Sequence, residues 1–73
     1  MRLSARNQLN GTVRSVEIGA VMAEVTVDVA GQEILAAITR SSAERLGLTQ
    51  GQPVTVFIKA TEVILGAPSA SPS

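Results

Sequence analysis

Seventy-three residues allow one small domain, and a chain this short buries only ~60 % of its unfolded surface. Its apolar share of 45 % is high, yet there is no Cys to form disulfides, thiolate metal sites or a nucleophile, and no His to serve as zinc ligand or general base. Six basic and six acidic residues cancel and Phe57 is the only aromatic, which argues against a field or a stacking platform for nucleic acid.

The chain opens Met1-Arg2-Leu3-Ser4, without the apolar run of a signal peptide, and no stretch approaches the ~20 apolar residues of a spanning helix. The expectation is a cytoplasmic protein without a membrane partner. Fourteen Val and Ile with six Thr favour strands. Leu9 to Ile18 alternates, but Gly11 interrupts it and the apolar face switches between Val13 and Val16, which predicts a bulge or sharp bend. Ile18-Gly19-Ala20 predicts a tight hairpin connection. From Ala20 to Ala30, Val21, Ala23, Val25, Val27 and Val29 share one face while Met22, Glu24, Thr26 and Asp28 share the other, so a half-buried strand is expected. Ala30-Gly31-Gln32 is the next turn. Gln32 to Thr39 reads as a third strand with Ile34, Ala36 and Ile38 on one side and Leu35 and Ala37 on the other, both faces covered.

Ser41 to Leu48 is the one helical segment. Ser41 is the expected N-cap, with Glu44 reaching back as in a capping box and Gly47 as the C-terminal stop. Gly51-Gln52-Pro53 is a turn, and Pro53 to Ala60 and Glu62 to Leu65 read as the last two strands. The predicted fold class is all-β: a small five-stranded OB-like barrel with one short helix between the third and fourth strands. Residues 1–66 form the domain and 67–73, rich in Pro, Ser and Ala, a disordered tail. So apolar a chain with so small a core is expected to self-associate, sheltering Ile34, Ile38 or their neighbours.

Catalysis finds little to work with. The carboxylates Glu17, Glu24, Asp28, Glu33, Glu44 and Glu62 show no catalytic or calcium-loop spacing, and the glycines sit singly at turns, so no enzyme is expected. What remains is a set of donors: Ser4 and Arg6 before the first strand, Thr39, Ser41 and Ser42 where a strand meets a helix, and Lys59, the only lysine, ending an apolar strand. A deprotonated tetrahedral oxyanion accepts hydrogen bonds and donates none, and these side chains are the donors and cations it needs. Each also has a plainer reading: Ser41 as a cap, Thr39 as an ordinary strand residue, Arg6 as a solvated charge, Lys59 as a snorkelling side chain.

The string Ser4-Ala5-Arg6-Asn7-Gln8-Leu9-Asn10-Gly11 resembles the opening signature of the molbindins, the small Mop-type molybdate-binding proteins of the TOBE/Mop domain class. The resemblance continues from Ala37 through Thr39-Arg40-Ser41-Ser42 to Leu48, and again in Phe57-Ile58-Lys59-Ala60-Thr61-Glu62-Val63. Together the three motifs span Met1 to about Gly66. The resemblance implies an OB-like barrel assembled into a homo-hexamer, a trimer of dimers, that holds molybdate or tungstate at subunit interfaces. By matching motif, Ser4, Arg6, Lys59 and the backbone amides of Ala5 and Ala60 would bind from one subunit, and Thr39 and Ser42 from its neighbour. Some relatives carry Ser after the Lys; Ala60 leaves only an amide there. The metal enters solely as the oxyanion. A chain that starts at its own Met1 and holds one domain looks like an intracellular molybdenum store. The other classes are an OB-like nucleic-acid-binding barrel and a ligand-free oligomerisation module.

Overall fold

The computed structural model describes residues 5–68. Four strands, β1 (Asn7–Ile18), β2 (Met22–Val29), β3 (Gln32–Thr39) and β4 (Pro53–Ile58), form one antiparallel sheet in the order β3-β2-β1-β4. The single helix, α1 (Arg40–Leu46), lies between the third and fourth strands as expected.

β1 is the strand on which the sheet turns. Its first half, Asn7 to Thr12, pairs with β4, and its second half, Thr12 to Ile18, pairs with β2. The handover coincides with a β-bulge, because Val13 faces Val27 while Ser15 faces Thr26, leaving Arg14 as the extra residue. That residue is the cause of the face switch between Val13 and Val16. Gly11 permits the bend: a Cβ there would stand 2.7 Å from Val27 Cγ1 and 2.8 Å from the Asp28 carbonyl oxygen. Arg14, pushed outward, pairs with Asp28 on β2 at 3.2 Å and Glu33 on β3 at 3.4 Å. The β2–β3 hairpin turns through Ala30 (φ 51°) and Gly31 (φ 85°), two successive left-handed residues that match the right-handed twist of the strands.

The core is small and made of valine. Val13, Val25 and Val27 form its centre, with Val16, Val29, Ala36, Ile38, Leu48, Val54 and Val56 packed around them. The alternation predicted for β2 holds for Ala23, Val25 and Val27, which are buried, but Val21 lies in the preceding turn and is 72 % exposed. On β3 only one face is covered within the chain. Ile34, Ala36 and Ile38 are half-buried, whereas Leu35 is 63 % exposed.

Two local expectations are corrected. The N-cap of α1 is Thr39, the last residue of β3, not Ser41: its extended backbone (φ −71°, ψ 150°) lets Oγ1 accept from the Ser42 amide at 3.1 Å. The chain passes from strand to helix with no linker, so the strand's final hydroxyl becomes the cap. Glu44 makes no reach back; it pairs with Arg40 at 3.3 Å, one turn away. Gly47 does end the helix, at φ 60°, with its N–H to the Glu44 carbonyl and the Leu48 N–H to that of Ala43.

The second correction concerns the fifth strand. Ala60–Glu62 is a turn of 3₁₀ helix closed by the Glu62 amide on the Lys59 carbonyl at 2.9 Å, and the segment expected as a strand from Glu62 to Leu65 joins no ladder. Ile64 and Leu65 are 94 % and 88 % exposed. Strand-like composition needs an edge to pair with, and the 3₁₀ turn carries this segment off the end of β4. The predicted tail begins with Ala67 and Pro68, which have no regular structure; the remainder lies outside the described residues.

Candidate functional site

The antiparallel register of β1 with β4 ends at Asn7 opposite Ile58, where the Asn7 side-chain amide also donates to the Ile58 carbonyl at 3.2 Å. The next residues outward are Arg6 and Lys59, and the next again Ala5 and Ala60. The ladder stops at Asn7 and Ile58, so Arg6 and Lys59 are the residues that leave the paired ends of β1 and β4. Among the described residues, neither cation has an ion-pair partner. Cations without a carboxylate partner are the groups that an anion pairs with. Ser4, which the family motif assigns to the same group, lies outside the described residues.

The second group sits where β3 enters α1. Thr39 Oγ1 accepts from the Ser42 amide and donates to Ser42 Oγ at 2.8 Å. Arg45 Nη2 donates to the same Ser42 Oγ at 3.1 Å. Arg40 is turned to Glu44 and Ser41 is exposed, so neither belongs to this group. Arg45 is the residue that sequence reasoning missed. Its signal was present in the i, i+3 spacing from Ser42, which brings two side chains together on one helix face.

These two groups stand apart. Thr39 pairs with Met22 at the start of β2, beside the far end of β1, whereas Arg6 precedes its beginning. Eleven steps of strand separate those ends, a contour of about 36 Å. Among the described residues no hydrogen bond or ion pair joins one group to the other. The described residues therefore hold two separate donor groups, one of cations and one of hydroxyls with Arg45.

One cavity is of a different character. A volume of about 610 Å³ opens between β4 and the β3–α1 face, lined by Val13, Ile38, Leu46, Leu48, Val56 and Phe57 among others. Its walls carry no cation, so it is suited to apolar cover and not to an anion. Among the described residues, no group of three or more His, Cys, Asp or Glu side chains could hold a metal ion, and no helix is long and apolar enough to cross a membrane.

Comparison with known proteins converges on one family. The model of the TOBE domain matches residues 3–65. Molybdenum-pterin-binding protein 1 of Clostridium pasteurianum is 41 % identical over 66 residues, covering 89 % of this chain and 97 % of the relative. A molybdate-binding protein from Sporomusa ovata has the same fold at TM-score 0.88 and 42 % identity, over 92 % of this chain and all of the other. ModG, described as a cytoplasmic molybdate-binding protein and solved with molybdate bound, aligns at TM-score 0.85 and 49 % identity over 93 % of this chain and 49 % of its own.

Proposed function

Because the chain belongs to the TOBE-domain family, we propose that it binds molybdate, or the equally charged tungstate, at interfaces between copies of itself and acts as a cytoplasmic molybdenum store. One observation carries this reading. The cationic pair Arg6 and Lys59 and the hydroxyl pair Thr39 and Ser42 lie at opposite ends of β1, so the two groups complete each other between subunits. The oxyanion brings two negative charges out of water and needs positive charge close by. Arg6 and Lys59 provide it, the amides of Ala5 and Ala60 and the hydroxyl of Ser4 add directed bonds from the same subunit, and the Thr39–Ser42 pair adds the Ser42 hydroxyl from the neighbour. Ala60 has no hydroxyl to offer.

The names of the relatives leave two ligand chemistries, a molybdenum–pterin and the bare oxyanion. The bare ion fits these donors better. These donors are cations, hydroxyls and backbone amides, the set that a bare oxyanion, an acceptor at every oxygen, uses in full. The role is binding and not catalysis, the binding domain spans residues 1–66, and 67–73 is a tail outside it.

Self-association is supported by the surfaces left bare. Leu35, Phe57, Ile64 and Leu65 are exposed and Phe57 also lines the apolar cavity, more apolar surface than so small a valine core offsets alone. A hexamer arranged as a trimer of dimers shelters these residues and creates the shared sites.

Native mass spectrometry with and without added molybdate tests the reading. The expected result is a hexamer that gains oxyanion mass. A folded monomer at micromolar concentration overturns it, and so does an assembly that takes up no molybdate, as a ligand-free module would. Molybdate and tungstate should also raise the melting temperature, since a ligand at 100 times its Kd adds roughly 2.7 kcal/mol. Sulfate, too small to reach all donors at once, should do much less. Equal stabilisation by sulfate reduces the site to a generic anion patch.

A further inference from the structure

We infer that Arg45 is a positioning residue for the oxyanion, acting through Ser42, in an inference that rests on the molybdate-binding reading above. A serine hydroxyl has one proton to give and two lone pairs to accept with. At Ser42 Oγ, both acceptor positions are taken: Thr39 Oγ1 donates at 2.8 Å and Arg45 Nη2 donates at 3.1 Å. The Ser42 proton cannot point back along either bond, so it is directed away from Thr39 and Arg45. The hydroxyl is thereby fixed as a donor, the polarity that an oxyanion requires.

Thr39 plays the complementary part. Its oxygen accepts from the Ser42 amide at 3.1 Å and its proton is given to Ser42 Oγ. In this arrangement Thr39 orients and Ser42 donates. Arg45 adds polarisation, since a charged donor on Oγ strengthens the bond that oxygen's own proton can make. Arg40 cannot substitute for it, being turned to Glu44.

The plainer role for Arg45 is a cation in the last turn of α1, favourable to the helix dipole. The two roles separate experimentally. Arg45→Met removes both charge and donor, whereas Arg45→Gln removes the charge but keeps an N–H that can reach Ser42. Calorimetric titration of the intact assembly with sodium molybdate is expected to show Arg45→Met about tenfold weaker, with Arg45→Gln recovering part of the loss. In a Ser42→Ala background, Arg45→Met should change the affinity less than about twofold, because the group it orients is gone. The melting temperature of the molybdate-free assembly reports any helix effect on its own. Parent-like binding by Arg45→Met overturns the inference while the molybdate reading stands. So does a tenfold loss that persists without Ser42, which marks Arg45 as acting by charge alone. A parent chain that takes up no molybdate overturns both.

Discussion

At the start of β1, Arg6 and Lys59 carry positive charge with no side-chain partner among the described residues, whereas beyond its far end Thr39, Ser42 and Arg45 are tied to one another. The first group is two cations at the paired ends of β1 and β4, without a carboxylate partner among the described residues. The second is complete without ligand, because its bonds also cap the helix. The difference teaches that ligand binding and folding weigh differently on the two ends. Changes at the cationic end should cost affinity and spare the apo fold. Changes at the hydroxyl end should cost both.

The largest effect is expected from Arg6→Ala or Lys59→Ala. Removing one partner of a desolvated charge pair costs about 2–5 kcal/mol of binding. Stability without ligand should hold. Titration with molybdate, set beside melting of the same variants in its absence, checks both halves. If both variants bind like the parent, the cationic half of the site is misplaced.

Smaller losses of binding follow at the other end. Ser42→Ala removes a bond to a charged ligand, worth about 1.5–3 kcal/mol. Thr39→Ala should lose affinity by misorienting Ser42 and, as the loss of a helix cap, also lower apo stability by about 1 kcal/mol. A Thr39→Ala protein that melts like the parent would break the contrast between the two ends.

Between them lies the joint. Gly11 faces the Asp28 carbonyl oxygen so closely that an added Cβ would sit at 2.8 Å, and backbone cannot swing aside as a side chain can. Gly11→Ala should therefore destabilise the fold by about 1–3 kcal/mol, as overpacking does, measurable by urea unfolding. A neutral result would mean that β1 can bend without that close approach.

How far the sequence revealed this arrangement depends on whether the determining contact was local. The alternation of β2, the stop at Gly47 and the bulge signalled by Gly11 and the displaced Val16 are short-range, and all were readable. The cap was misplaced by two residues because Ser41-Ser42-Ala43-Glu44 satisfies a capping pattern as well as Thr39 does. Only the absence of a linker between β3 and α1 decides between them. The segment Glu62 to Leu65 has the composition of a strand, but strand pairing belongs to two chain segments at once, and the 3₁₀ turn after Lys59 is invisible to alternation. For the proposed site, Arg6, Lys59, Thr39 and Ser42 stand out in the sequence as donors, and the family motif gives them their roles. Arg45 does not, since spacing alone cannot tell whether a guanidinium folds back on Ser42 or extends into water.

The smallest effect tests the contrast from outside both ends. Ala30 adopts φ 51° in the β2–β3 turn, a conformation that costs an L-residue with a Cβ roughly 1–2 kcal/mol. Ala30→Asn would create Asn-Gly, the pair favoured where both central residues are left-handed, because Asn tolerates that region at lower cost. The ladder beside it, Val29 opposite Gln32, needs no adjustment. The expected gain is about 0.5–1 kcal/mol of stability by urea unfolding, within the range seen when a turn residue suits its backbone. Molybdate affinity should stay unchanged, since residue 30 belongs to neither donor group. A variant that gained stability and lost affinity in proportion would show that binding draws on flexibility of the whole sheet, and the separation of fold from site along β1 would fail.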